Sequence, residues 1–312
     1  MENRSFAGVL HYCGNWITSA LSVSGRLRPG QAIRLFYVIV AVPMVVMGFI
    51  AHLCHHPFRI LGVMTPAGEI PWRTALCGAA LMATFMMSRL DKESWLAYGL
   101  SARHPAAHFG FGFLTGALSL SALMAALVLT GGASISHTGS PAGPLIASGI
   151  LWALAFILVG WSEELVFRGY AFFRLARDAT PAAAAVRTSL IFGIAHAFNP
   201  GENVLGLLQV VLFGLVACFV IWRTGSLWCV AGIHAAWDWS DSFVFGAADS
   251  GRLVNGHWLT SHAIGPAWLS GGAAGPEGSL FAIPAVGMLA LIVMLAFPKA
   301  GGGSRFGAKP TV

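Results

Sequence analysis

Charge is what this sequence has least of. Asp, Glu, Lys and Arg make up 10% of its 312 residues, where a soluble globular domain carries about 25%. That shortage excludes a soluble domain. Cysteine is sparse too: Cys13, Cys54, Cys77, Cys218 and Cys229 form no CxxC pair and no framework spacing, so they read as small buried hydrophobes. There is no GxSxG nucleophile elbow and no HExxH zinc motif. No long repeat is present, and His11, Asn15 and Trp16 interrupt the N-terminal apolar content too much for a secretory signal.

What is present is apolar length. Hydrophobic residues make up 56% of the chain and the mean hydropathy is +0.73. The expected fold class is all-α, a polytopic membrane helix bundle of about eight transmembrane helices. The spans are expected at 33–54, 72–88, 108–129, 145–166, 187–198, 204–222, 226–245 and 280–297. Residues 1–31 read as a cytoplasmic or interfacial lead-in, 32–298 as the membrane-embedded domain and 299–312 as a flexible tail. Asp91 to Arg103 is expected to form a short interfacial helix, and 246–279 a long irregular outer segment.

The formal net charge of +6 is not a nucleic-acid signal, because its basic residues lie in short loops. Arg89, Lys92 and Arg103, then Arg174, Arg177 and Arg187, then Arg223, fall on one side of an eight-span path. The loops 130–144 and 198–203 have no Lys or Arg. The positive-inside rule makes the basic side cytoplasmic, with both termini inside and the chain in the cell (inner) membrane. Arg59 and Arg73, near the first outer loop, are the exceptions.

Against this background the stretch Gly160-Trp-Ser-Glu-Glu-Leu-Val-Phe-Arg-Gly169 stands out. A carboxylate within a bilayer costs several kcal/mol, roughly 2.5 to 3.5 on insertion scales, so two adjacent ones need a reason. Glu164 and Arg168 are four apart and can neutralise each other on a helix. Glu163 points about 100° away and has no cation in its own turn, which makes it the better functional candidate. His196, in the fifth span, and His234 and Asp238, four apart in the seventh, add polar groups to two further spans. Helical rise puts His196 and His234 about 14 and 12 Å into their spans and Glu163 just inside the cytoplasmic boundary, a mismatch of about 10 Å. His52, Cys54, His55 and His56 read as a solvated rim, and Asp241 and Asp249 as the outer boundary.

A carboxylate beside a histidine can deprotonate a water while a second histidine donates to the developing oxyanion. Glu163, His196 and His234 could instead ligate a divalent metal such as zinc with water as the fourth ligand, and the residues leave both routes open. A non-catalytic scaffold or a proton-coupled carrier is the alternative use of such a cluster, without an inverted repeat to support it.

Glu163-Glu164-x-x-x-Arg168, Phe192-x-x-x-His196 and His234-x-x-x-Asp238, in this order, resemble the three motifs of the CAAX-protease and bacteriocin-processing (CPBP, or Abi) family. The resemblance covers about 150–245. It implies an intramembrane endopeptidase acting on a peptide or membrane-protein substrate from within the lipid bilayer, its site opening to the cytoplasm. Glu163 would be the general base with His196 as partner. His234 and Asp238 would stabilise the oxyanion, supported by Glu164 and Arg168. The prenyl-protease branch usually has asparagine where this chain has Asp238.

Overall fold

Proline sets where the helices begin. Pro29, Pro66, Pro105 and Pro181 each occupy the first helical position, where a missing N–H costs nothing. Thr65 and Thr180 cap two of these starts by accepting from Gly68 N and Ala183 N. In this computed structural model residues 27–53 and 63–298 are described. The lead-in over 1–26, the tail over 299–312, Arg59, Cys54, His55 and His56 lie outside the described residues.

The helices are α1 (Pro29–Leu53), α2 (Pro66–Asp91), α3 (Pro105–Leu129), α4 (Ala142–Phe167), α5 (Tyr170–Asp178), α6 (Pro181–His196), α7 (Val204–Thr224), α8 (Leu227–Trp239) and, after a single helical turn at Ala267–Ser270, α9 (Ala282–Ala296). Each of the eight expected stretches is largely helical. Among the described residues four helical stretches are long and apolar enough to cross a membrane: α1, α3, α4 with α5, and α7. They mark an integral membrane protein. α9 is a shorter apolar helix, and α6 and α8 have 16 and 13 residues, under the roughly 20 a straight crossing needs. α2 is long enough but carries Glu69, Arg73, Arg89 and Asp91.

α8 is the central helix, and its residues from Cys229 to Asp238 are all buried. Glycine lets its neighbours come that close. A Cβ on Gly112 of α3 would lie 2.0 Å from Cys229 O, and one on Gly232 would lie 2.2 Å from Phe109 O. Both are inside any tolerable contact, so the two backbones touch through their missing side chains. Gly110, one half-turn away, has nothing within 4 Å. Gly112→Leu is therefore expected to abolish the yield of monodisperse protein on size-exclusion chromatography, while Gly110→Leu leaves it at the wild-type level. Equal yields would show that α3 and α8 can separate freely.

The connections sort to two ends. At one end the loop before α2 pairs with a later strand, β1 (Val63–Met64) running parallel to β3 (Leu253–Val254). There too β2 (Ala133–His137) pairs antiparallel with β4 (Leu259–Ala263), from Ala133↔Ala263 to His137↔Leu259. Arg252 joins them to the α6–α7 loop by donating from Nη2 to Asn199 Oδ1 at 2.7 Å. The segment 246–279 is thus not irregular: two strands and several helical turns order it. Its partner strands lie more than a hundred residues away, beyond any local pattern.

The basic loops gather at the opposite end. Asp91 accepts from Tyr98 Oη, from Tyr170 Oη at 3.0 Å and from Arg174 Nη1. Arg174 Nη2 also donates to Leu27 O at 2.8 Å. Between Asp91 and Arg103 the chain forms one 3₁₀ turn, Trp95–Ala97, rather than the expected interfacial helix. Trp228 Nε1, at the start of α8, donates to Leu100 O nearby at 2.9 Å. These contacts bring the segments around Leu27, Asp91, Leu100 and Arg174 together at that end.

Candidate active site

The two glutamates reach the centre because α4 can approach α8 closely. A Cβ on Gly160 would sit 2.9 Å from Ala231 O and 3.0 Å from Ala235 N. One turn on, Glu164 Oε1 accepts from His234 Nδ1 at 2.8 Å and from Arg168 Nη1 at 3.1 Å. Glu164 and Arg168 are both fully buried. The Arg168 guanidinium also stacks 3.9 Å from the centre of the Phe192 ring, a favourable cation–π contact. The expected i,i+4 pair is present, and it holds His234 as well as neutralising itself.

Glu163 is not without a cation. Arg73 of α2, ninety positions earlier, donates from Nη1 to Glu163 Oε1 at 2.8 Å and from Nε to Glu69 Oε2 at 3.1 Å. Sequence reasoning missed this residue and treated it as an exception to the loop charges. The signal was available: Glu69 and Arg73 have the same i,i+4 spacing in an apolar stretch as Glu164 and Arg168.

The second oxygen of Glu163, Oε2, is buried with no hydrogen-bond partner among the described residues. It lies 3.8 Å from His196 Nε2 and 3.8 Å from His234 Nε2. Both distances are too long for direct hydrogen bonds. The histidine tautomers follow from their other contacts. His196 Nδ1 lies 2.9 Å from Phe192 O, an acceptor, so Nδ1 carries the proton. His234 Nδ1 faces the Glu164 carboxylate and carries one likewise. In neutral rings both Nε2 atoms are then acceptors, and they flank Oε2 at 3.8 Å each.

An unpartnered carboxylate oxygen flanked by two acceptor nitrogens suits a hydrogen donor such as water, or a cation. The donor set, two imidazole nitrogens and a carboxylate oxygen, fits the preferences of zinc. The engaged Nδ1 atoms also match the outer contacts that ligating histidines make. Glu164 supplies the supporting carboxylate that local sequence spacing did not reveal. Arg73 already pairs with the Glu163 carboxylate and competes electrostatically with any ion there.

Asp238 Oδ2 is 3.6 Å from His234 Nε2. Its side chain does not touch Nδ1, so the orientation of His234 comes from Glu164. All four candidate groups, Glu163, His196, His234 and Asp238, line one cavity of about 270 Å³. Its walls also include Asn199, Gln209, Asp249, Ser250, Arg252 and Glu277. Loop residues from the end poor in Lys and Arg therefore form part of the cavity.

Helix ends account for part of the expected 10 Å mismatch. α4 does not stop at a boundary after Glu163. It breaks at Gly169, where ψ is −121°, and continues as α5, so that the helical stretch Ala142–Asp178 has 37 residues. α6, starting at Pro181 rather than 187, places His196 about 22 Å from its start, while His234, about 10 Å into α8, reaches the glutamates through the close approach of α4 and α8 at Gly160. The group sits well inside the bundle rather than just within the basic end.

Residues 145–240 match the family model described as Type II CAAX prenyl endopeptidase Rce1-like. No curated protein and no solved structure matches the chain. The matched residues run from α4 through α8 and carry Glu163, Glu164, Arg168, His196, His234 and Asp238. This stretch is CAAX-protease-like, as its motifs imply.

Proposed function

We propose that this chain is an intramembrane endopeptidase of the CAAX-protease type, using water activated by Glu163 rather than a covalent nucleophile. The observation that carries the proposal is the unpartnered Glu163 Oε2, placed 3.8 Å from two histidine Nε2 atoms whose Nδ1 positions are already committed.

In this reading a water enters among the three groups. Glu163 takes one of its protons, and His196 Nε2 accepts a hydrogen bond from the other. The resulting hydroxide attacks the scissile carbonyl carbon, forming a C–O bond and leaving charge on the carbonyl oxygen. In this reading His234 is already protonated at both nitrogens before the water is split, so that Nε2 donates to that oxygen while Glu164 holds its Nδ1–H. Collapse breaks the C–N bond, and the proton held by Glu163 passes to the departing amine. Arg73 fixes the Glu163 carboxylate through Oε1 so that Oε2 is the basic oxygen. Zinc, if bound by Glu163, His196 and His234, would act as a Lewis acid that makes the water more acidic.

Asp238 is on the substrate side of His234. An ionised carboxylate would repel the oxyanion, so in this role Asp238 must carry a proton and donate it as a hydrogen bond. The substrate class suggested by the family description is a peptide with a prenylated C-terminal Cys-a-a-X sequence. The test is incubation of purified full-length protein with such a peptide and with its unprenylated twin, followed by mass spectrometry. Release of the terminal tripeptide is expected, and intact peptide after incubation with well-folded protein would overturn the proposal. In the same assay Asp238→Asn is expected to keep kcat within about tenfold of wild type, because an amide N–H can replace the acid proton. A loss beyond about a hundredfold would instead mean that position 238 is needed as a carboxylate.

A further inference from the structure

Next to the loop end of the same cavity, which Asp249 and Glu277 line, three carboxylates converge. One oxygen each from Asp241, Asp249 and Glu277 lies within 4.8 Å of the others. Asp241 belongs to the π-helical turn Ser240–Val244 that extends α8, Asp249 to the loop beyond it, and Glu277 to a 3₁₀ turn before α9. Among the described residues no Lys or Arg forms a salt bridge with any of them. The nearby cations are occupied: Arg73 pairs with Glu69 and Glu163, and Arg252 donates to Asn199.

The second observation is Asp241 itself. Its exposure is 0%, and neither carboxylate oxygen has a hydrogen-bond partner among the described residues. The sequence suggests a residue at the outer boundary; the fold instead encloses it. A buried carboxylate without donors is costly to ionise, and two more beside it raise that cost. The other two acids are only partly satisfied. Glu277 accepts from Trp237 Nε1 at 2.8 Å and from Ser250 Oγ at 3.0 Å, while Asp249 Oδ2 has a 3.5 Å contact from Ser242 Oγ.

We infer that Asp241, Asp249 and Glu277 bind a hard divalent cation of the Ca²⁺ class. An all-oxygen, all-carboxylate set without cysteine or histidine selects Ca²⁺ or Mg²⁺ over zinc. Calcium, with oxygens at about 2.3–2.6 Å and flexible geometry, keeps its ligands within roughly 5 Å of one another, as these are. The cation would tie the end of α8 to the loop segment 246–279. Because Glu277 also holds Trp237, next to Asp238, it would brace the helix that carries His234. The inference is independent of the proteolytic reading, since it concerns binding alone.

Terbium replaces Ca²⁺ and emits when a nearby tryptophan is excited, and Trp237 is bonded directly to the Glu277 carboxylate. The full chain, purified in detergent and freed of metal, is titrated with Tb³⁺ under tryptophan excitation. Saturable emission at about one ion per chain is expected, with displacement by Ca²⁺. Asp241→Asn and Asp249→Asn are expected to lower it about tenfold or more, and Glu163→Gln to leave it unchanged. Either aspartate variant that elutes as a monodisperse species carries the test. Absence of emission from wild type, persistence in a folded aspartate variant, or loss with Glu163→Gln would overturn the inference, the last placing the ion at the Glu163 cluster instead.

Discussion

Glu163→Gln is expected to lower peptide hydrolysis by about 10²–10⁴-fold, the usual contribution of a general base, without lowering the yield of folded protein. The amide keeps the size of the side chain, and its oxygen can still accept from Arg73 Nη1, which is 2.8 Å from Oε1 in the wild type. Arg73 also retains Glu69, so the substitution does not strand a buried cation. What is lost is the basic Oε2 facing His196 and His234 at 3.8 Å. The measurement pairs tripeptide release with a size-exclusion profile and a thermal melt of the same sample. Activity close to wild type in the folded variant would remove Glu163 from the chemistry. A collapse of yield would instead assign it a structural role alongside Arg73.

Arg168→Ala is expected to fail at an earlier stage. Arg168 is fully buried, 3.1 Å from Glu164 Oε1 and stacked on Phe192 at 3.9 Å. Truncation leaves the Glu164 carboxylate with His234 alone and opens a void beside the ring. Breaking a buried pair by removing one partner costs about 3–5 kcal/mol, most of it the penalty on the charge left behind. Folded yield should therefore fall sharply, and the activity with it. Removing both charges relieves that penalty, so the double variant Glu164→Gln, Arg168→Met is expected to recover much of the yield. It should stay slow, because His234 Nδ1 no longer faces a carboxylate. Size-exclusion yield and hydrolysis rate, measured for both variants, separate the two effects. Normal yield for Arg168→Ala would mean that the pair does not hold the fold.

Much of the architecture is legible locally, because bilayer-compatible helices must be long, apolar and internally hydrogen-bonded. Low charge and repeated apolar runs identified a helical membrane protein, and each expected stretch lies largely within a helix. Spacing alone found the Glu164–Arg168 pair, since residues four apart on a helix must be neighbours. The motifs also marked out the segment that the family model matches.

Contacts between distant segments were decided only by the tertiary structure. The partner of Glu163 is Arg73, ninety positions away, and no periodicity links the two. The depth of the site depended on α5 prolonging the helical stretch beyond Gly169 and on α6 starting at Pro181, both differences in helix ends that sequence patterns locate poorly. Asp241 looked like a boundary residue, yet it is enclosed: β3 packs on the turn that carries it, and Asp249 and Glu277 close around its carboxylate. Local composition determines whether a segment can be a helix in lipid. Which buried charges answer one another depends on close approach between helices, here through Gly112, Gly160 and Gly232, and that is a property of the assembled bundle.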